Sequence, residues 1–163
     1  MIFVTVGTQL PFERLVAAVD EWVGRQVEKP DTLVQVGSGR TDYANVRCVR
    51  ALDAAGYASA IACSRLMVAH AGTGSILAAL DSGIPVIVFP RDSSLGEHRD
   101  DHQFQTARQM ERMGLVTVAW SVAELVALIE RELAAPEERR QPRQRNTELV
   151  DYLRDWLGDV LRR

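Results

Sequence analysis

Six consecutive residues of this chain bring together an imidazole, two glycines and two hydroxyls: His70-Ala71-Gly72-Thr73-Gly74-Ser75. They separate an apolar run, Leu66 to Ala69, from a segment whose Ile76, Leu77, Ala79 and Leu80 make an apolar helical face. The two glycines permit backbone angles and close approaches that a side chain blocks. Thr73 or Ser75 can cap the helix that follows. A strand that turns through glycine into a helix aims unpaired N–H groups and the positive end of the helix dipole at one spot, which suits a phosphate. His70 stands at the carboxyl end of the strand, where open α/β sheets bind their ligands. A second polar cluster, Gly96-Glu97-His98-Arg99-Asp100-Asp101-His102-Gln103, follows the next strand and belongs to the same rim. Gly7-Thr8-Gln9, after the opening strand, is a third polar loop at that rim, in a second strand–glycine–helix turn.

The elements that must position these residues alternate along the chain. Strands are expected at Ile2 to Val6, Leu33 to Val36, Asn45 to Val49, Leu66 to Ala69, Val86 to Phe89 and Leu115 to Ala119. Helices are expected from Pro11 to about Gln26, with Leu15, Val16, Val19, Trp22 and Val23 on one face, and from Ala54 to Ser64. Others are expected before Gly83 and Pro85, from Asp101 to Met113 with Phe104, Ala107 and Met110 inward, and from Ser121 to Ala134. Ser121 with Glu124 three residues on is a capping-box pattern. Asp100 and Asp101 suit the negatively charged first turn of the helix they precede. Strands alternating with helices imply an α/β fold: a Rossmann-like, doubly wound parallel sheet of about six strands. This domain takes residues 1–135. Residues 136–145, P-E-E-R-R-Q-P-R-Q-R, read as a charged linker. Residues 146–163 read as a C-terminal amphipathic helix striped by Leu149, Val150, Leu153, Trp156, Leu157, Val160 and Leu161. That helix folds back on the domain, docks on another protein or, as a less favoured reading, lies on a membrane surface.

Composition narrows the classes of function. The 163 residues suffice for one domain with a core, and 47% hydrophobic with 25% charged residues is ordinary for a globular chain. A formal net charge of −3 argues against general nucleic-acid binding. Cys48 and Cys63 have no metal-ligand spacing and are expected to be buried thiols in a reducing compartment. No run approaches the roughly 18 apolar residues of a membrane span. Met1-Ile-Phe-Val-Thr-Val lacks the basic start of a signal peptide, so a cytoplasmic location is expected. A dinucleotide-dependent oxidoreductase shares the fold class, but the first loop, G-T-Q-L-P-F, is not G-x-G-x-x-G.

Four motifs in order, V-T-V-G-T-Q-L-P-F, H-A-G-T-G-S-I, G-I-P-V-I-V-F-P-R and G-E-H-R-D-D-H-Q, resemble the C-terminal half of glycosyltransferase family 28. Within it they are most similar to the small catalytic subunits of two-component UDP-sugar transferases. These include the PssE-like subunit of bacterial exopolysaccharide synthesis and the small subunit of the dolichol-linked UDP-GlcNAc transferase. The resemblance covers roughly residues 1–120. It implies the donor-binding half of a GT-B transferase. The activity implied is metal-free, inverting transfer from a UDP-sugar to a lipid-linked acceptor. No cofactor is expected. The partner implied is a membrane-associated acceptor-binding subunit, met through residues 146–163, which would hold the protein peripherally at the cytoplasmic membrane.

The same resemblance assigns residues. His70, Gly72 and Ser75, with Thr73 and Gly74 between them, are implied to grip the donor diphosphate, and Gly7, Thr8 and Gln9 to face it from the other side. His102 and Gln103 fall where relatives read the donor sugar, and the Gln103 amide, both donor and acceptor, suits vicinal hydroxyls. A carboxylate that holds the ribose in many relatives is replaced by Ala78. Arg91 and Arg99 have the charge to meet a carboxylated sugar such as glucuronate. Glu97 and His98 are the candidate catalytic bases, with His102 or a group on the partner as other sources. A non-catalytic nucleotide-sugar-binding or regulatory subunit is the alternative function, and a pure interaction module built on the last helix is a third.

Overall fold

A computed structural model describes residues 1–99 and 102–135. The expected linker and C-terminal helix, and the Asp100-Asp101 pair, lie outside the described residues. The elements run β1 (Ile2–Thr5), α1 (Glu13–Gly24), β2 (Thr32–Gln35), β3 (Arg47–Val49), α2 (Ala54–Ala62), β4 (Leu66–Ala69) and α3 (Thr73–Ser82). After these come β5 (Val86–Val88), a 3-10 turn (Ser93–Leu95), α4 (His102–Arg112), β6 (Thr117–Val118) and α5 (Val122–Ala134). The strands form one sheet in the order β3-β2-β1-β4-β5-β6. Every neighbouring pair is parallel.

The near-continuous apolar strands follow from burial on both faces of the sheet. Side chains alternate across a strand, so Ile2 and Val4 join one cluster with Leu15, Val19, Trp22, Leu125 and Ile129 of α1 and α5. Phe3 goes to the opposite cluster, with Ile61 of α2, Ile76 and Ala79 of α3, and Ala107 and Met110 of α4. β4 splits the same way: Leu66 and Val68 to the first face, Met67 and Ala69 to the second. Fully burying one such side chain stabilises the fold by about 1.5–3 kcal/mol. The expected inward face of α1 is buried as read, with Ala18 added.

Two local signals act as expected. Gly83 ends α3 in the left-handed conformation, φ 69°, and its N–H reaches the carbonyls of Ala79 and Leu80. The Ser121 hydroxyl caps α5 by accepting the Glu124 N–H at 3.2 Å, and the Glu124 carboxylate accepts the Trp120 N–H at 2.8 Å. The cysteines differ from expectation. Cys63, at the end of α2, is exposed, and Cys48 is half-buried.

The sheet order carries the functional consequence. From β1 the chain winds outward to β2 and β3, then returns to place β4 on the other side of β1. The connections leaving β1 and β4 therefore diverge, and a crevice opens between their carboxyl ends. Among the described residues no helix is long and apolar enough to cross a membrane.

Candidate functional site

The crevice is a cavity of about 440 Å³, and the residues singled out from sequence converge on it. Gly7, Thr8 and Gln9 line it from the β1–α1 loop; His70, Gly72, Gly74 and Ser75 line it from the β4–α3 turn; His98 and Gln103 line it from beyond β5. Three expected site residues, Thr73, Glu97 and His102, are not part of the lining.

His70 sits at the centre of this arrangement. Its backbone N–H donates to the Thr5 carbonyl at 3.2 Å, which extends the β1–β4 ladder by one residue and fixes the start of the side chain. The imidazole then fills the room left by two glycines. A Cβ on Gly72 would stand 2.1 Å from His70 Nε2, and one on Gly7 would stand 2.6 Å from Cε1. Gly7 also needs its glycine for backbone reasons, with φ at +80°. By contrast a Cβ on Gly74 would meet nothing within 4 Å, so the turn is open on that side.

Burial, reinforced by the nearby Arg91 guanidinium, pushes the His70 pKa down to about 4, so the ring is neutral near pH 7. Its Nδ1 is buried and makes no well-formed hydrogen bond among the described residues, although the Thr5 backbone lies near enough to oppose part of the lowering. Buried polar atoms are nearly always paired, so this exception beside the cavity calls for a reason, and the crowding of the ring between two glycines supplies one.

The helix starts differ in a telling way. α2 is capped by Asp53, whose carboxylate accepts the Gly56 N–H at 2.7 Å, and α5 is capped by Ser121. α3 begins at Gly72 with no side-chain cap, and α1 begins at Phe12 with none. The expectation that Thr73 or Ser75 caps α3 is therefore corrected: Thr73 is already the first helical residue, and Ser75 lies within the first turn. The Ser75 hydroxyl, largely buried, accepts from the Tyr57 phenol at 3.4 Å. The first backbone donor into the helix is the Ser75 N–H, to the Gly72 carbonyl at 3.1 Å. The amides of Thr73 and Gly74 precede it and belong to the orphan set at a helix start.

The loop after β5 separates the two candidate bases. Glu97 is a tether: its carboxylate takes both Nε and Nη2 of Arg14 at 2.7 Å and also accepts the Asp92 N–H at 2.8 Å. His98 lies in the cavity wall instead, close enough to His70 to add slightly to the lowering of its pKa. The Gln103 side chain accepts the Arg91 N–H at 3.2 Å, which leaves its amide nitrogen as the donor end.

Arg91 is where sequence expectation and structure part most clearly. It is only 2% exposed. Its guanidinium donates to the main-chain carbonyls of Val6 at 2.7 Å, Leu10 at 2.6 Å and Pro11 at 2.5 Å. Arg91 is itself part of the cavity lining, with its fork engaged by the β1–α1 loop rather than extended toward a sugar carboxylate.

Gln35, Leu52 and Tyr57 also line the cavity and were not among the residues expected there. Gln35 ends β2, and its side chain accepts the Leu52 N–H at 3.3 Å. Leu52 and Tyr57 also border a neighbouring depression, which contains Ala78, Asp53 and Asp81. Tyr57 is fixed edge-on against Phe3, ring centroids 5.3 Å apart. A polar residue ending a strand beside the switch point was the available signal for Gln35; an aromatic within a weakly amphipathic helix offered none. Among the described residues, no three His, Cys, Asp or Glu side chains group in a way that could hold a metal ion.

Comparison with known proteins bears on the family and the fold. A model of the glycosyltransferase family 28 C-terminal domain matches residues 1–153. The structure of CalG4, the calicheamicin glycosyltransferase, shares the fold at TM-score 0.63 and 18% identity, over 96% of this chain and 42% of that one. MurG of Acinetobacter baumannii does so at 0.56 and 18%, over 94% of this chain and 49% of that one. The NMR structure of ALG13 is similar at 0.53 and 22%, over 79% of this chain and 83% of that one. The chain thus spans less than half the length of CalG4 and MurG, and at these identities the likeness is one of fold.

Proposed function

Because the chain belongs to glycosyltransferase family 28, as its C-terminal domain, we propose that the crevice binds a UDP-sugar and that the protein is the donor-binding, catalytic part of a sugar transferase. The observation that carries the proposal is the uncapped start of α3 beside the neutral, buried His70, both on one cavity at the sheet's switch point. The orphan amides and the helix dipole take the diphosphate. His70 offers an N–H from the opposite side of the turn. The nucleoside lies toward Leu52 and Tyr57, which border both depressions, and toward the surface where Ala78 stands in place of a carboxylate. The sugar end lies near Gln103 and His98.

In the reaction proposed, an acceptor hydroxyl attacks the anomeric carbon from the face opposite the diphosphate, and the bond from that carbon to the diphosphate oxygen breaks. The configuration inverts, UDP leaves with the electron pair, and the acceptor's proton passes to a base. Charge developing on the leaving oxygen is met by fixed donors, which favours the transition state over the bound substrate. His98 is the proposed base on this chain, since Glu97 is held by Arg14. The transfer is proposed to need no metal. The acceptor is proposed to be lipid-linked and to be presented by a membrane-associated partner subunit that engages residues 146–163, with the protein residing on the cytoplasmic side.

Titration calorimetry with UDP and a panel of UDP-sugars, on the wild-type chain and His70→Ala, tests the reading. UDP binding that weakens about tenfold or more in the variant supports it. Binding unchanged by the variant would remove His70 from the site. A wild type that binds no UDP-sugar, alone or with its partner, would end the donor assignment. Turnover by His98→Gln at the wild-type rate would place the base elsewhere. Deleting residues 146–163 is expected to leave UDP affinity intact while abolishing complex formation.

A further inference from the structure

We propose that Arg91 is the positioning residue of this crevice: its buried guanidinium holds the β1–α1 loop against His70, so that the anion site is formed before a ligand arrives. The inference rests on the diphosphate reading of the cavity and assigns a role to a residue outside the glycine turns.

A guanidinium with 2% exposure ordinarily sits against a carboxylate. The hydrogen bonds of the Arg91 guanidinium among the described residues go instead to carbonyls at the beginning and end of one loop, Val6, Leu10 and Pro11, and the Glu97 carboxylate acts on it through its charge alone. Its carbon Cζ also lies 4.7 Å from the centre of the Phe12 ring, at the start of α1. Between the gripped carbonyls lie the half-buried Gly7 and the exposed Thr8 and Gln9 of the cavity rim. A planar fork with several donors suits this task; an ammonium on a flexible stem does not span the three acceptors.

A second arginine runs the opposite way and provides a built-in control. Arg14, on α1, reaches back over the Phe89 ring at 4.2 Å to the Pro90 carbonyl and Glu97. Phe12 and Phe89 stack between the two arginines, centroids 5.7 Å apart and planes 12° from parallel. The two straps join the segments after β1 and β5 across the exit of β4, where His70 stands. Both contribute to cohesion, but Arg91 alone of the pair holds the carbonyls of the β1–α1 loop.

The test compares Arg91→Met, Arg91→Lys and Arg14→Met in the full chain, by thermal melting, UDP titration and ¹⁵N backbone order parameters. Arg91→Met is expected to lower UDP affinity by about tenfold to a hundredfold at temperatures where it is folded. Order parameters of Thr8, Gln9 and Leu10 are expected to fall from about 0.85 toward 0.6 or below. Arg91→Lys should recover only part of both, and it carries the test should Arg91→Met not fold. Arg14→Met should lower the melting temperature while leaving UDP affinity within about twofold and the loop's order unchanged. Two results overturn the proposal: a folded Arg91→Met with wild-type loop order, or an Arg14→Met that matches it in both affinity and loop order. If the wild type binds no UDP, the order parameters still decide the role of Arg91, and the failure belongs to the nucleotide assignment.

Discussion

The two glycine turns that meet at His70 reach the same place by different means. The β4–α3 turn is short, and helix α3 begins at Gly72, so its course is set by neighbours in the chain. The β1–α1 loop is longer, carries exposed Thr8, Gln9 and Leu10, and takes its course from the Arg91 guanidinium more than 80 residues away. One turn carries its conformation within itself; the other is held from outside. Phosphate-binding rims built from both kinds can have a fixed wall and a wall whose order depends on distant packing.

Gly72→Ala should break the fixed wall. Its φ of −84° tolerates a side chain, so the cost is the collision with the His70 ring at 2.1 Å. Overpacking of this kind destabilises by about 1–3 kcal/mol. With the ring displaced, UDP affinity should fall by about a hundredfold in calorimetry. Much of the lost stability should return in Gly72→Ala/His70→Ala, which removes the collision; simple additivity would contradict the packing argument.

Gly7→Ala should act on the other wall through both a collision, at 2.6 Å, and a backbone at φ +80°. The longer loop can shift, so a loss of UDP affinity nearer tenfold is expected, with about 1–2 kcal/mol of stability. An effect as large as that of Gly72→Ala would erase the distinction between the walls.

Acid supplies a third probe. The folded His70 titrates at about 4 because burial, then Arg91, disfavours its charged form, against an ordinary value of 6.5. Between those values the unfolded chain binds the extra proton, so stability is full above about pH 6.5 and declines as pH falls toward 4, by about 3 kcal/mol. Chemical denaturation across that range should show the decline in the wild type and a shallower one in His70→Asn. Parallel curves would place His70 in water rather than between the glycines.

Ser121→Ala sets the floor. It removes the α5 cap, so about 1 kcal/mol of stability should go. UDP affinity should stay at the wild-type value, because this helix start does not line the cavity. A change in affinity would mean that the rim responds to any loss of stability.

The same contrast accounts for what was legible in the sequence. β4 was read with its observed bounds, and Gly83 as the end of α3, because both signals are local: an apolar run, a glycine, a proline. The placement of His70, Gly72, Gly74 and Ser75 on one cavity followed from the same short-range pattern. Which members of a polar cluster face the cavity did not. Glu97 and His98 are adjacent, yet one is drawn away by Arg14 on another helix and the other lines the crevice. Thr73 and His102 likewise belong to the clusters but not to the wall. Gln35, Leu52 and Tyr57 come from the far side of the switch point, where only the winding of the sheet brings them near His70. Arg91 was expected as a charge for a carboxylated sugar because nothing in its neighbourhood of the chain shows three carbonyls waiting for it.

The crossed arginines also order events in time. Arg14 and Glu97 are 83 residues apart, and Arg91 and Val6 are 85 apart. Contacts of such separation form only after a large loop closes, and long-range closures of this kind slow folding. On a growing chain, β1, α1 and the His70 turn are all made before Arg91 exists to hold the first loop. The crevice is therefore completed late, when β5 docks beside β4, and a chain stopped short of Arg91 carries the histidine and both glycines without the strap that arranges them.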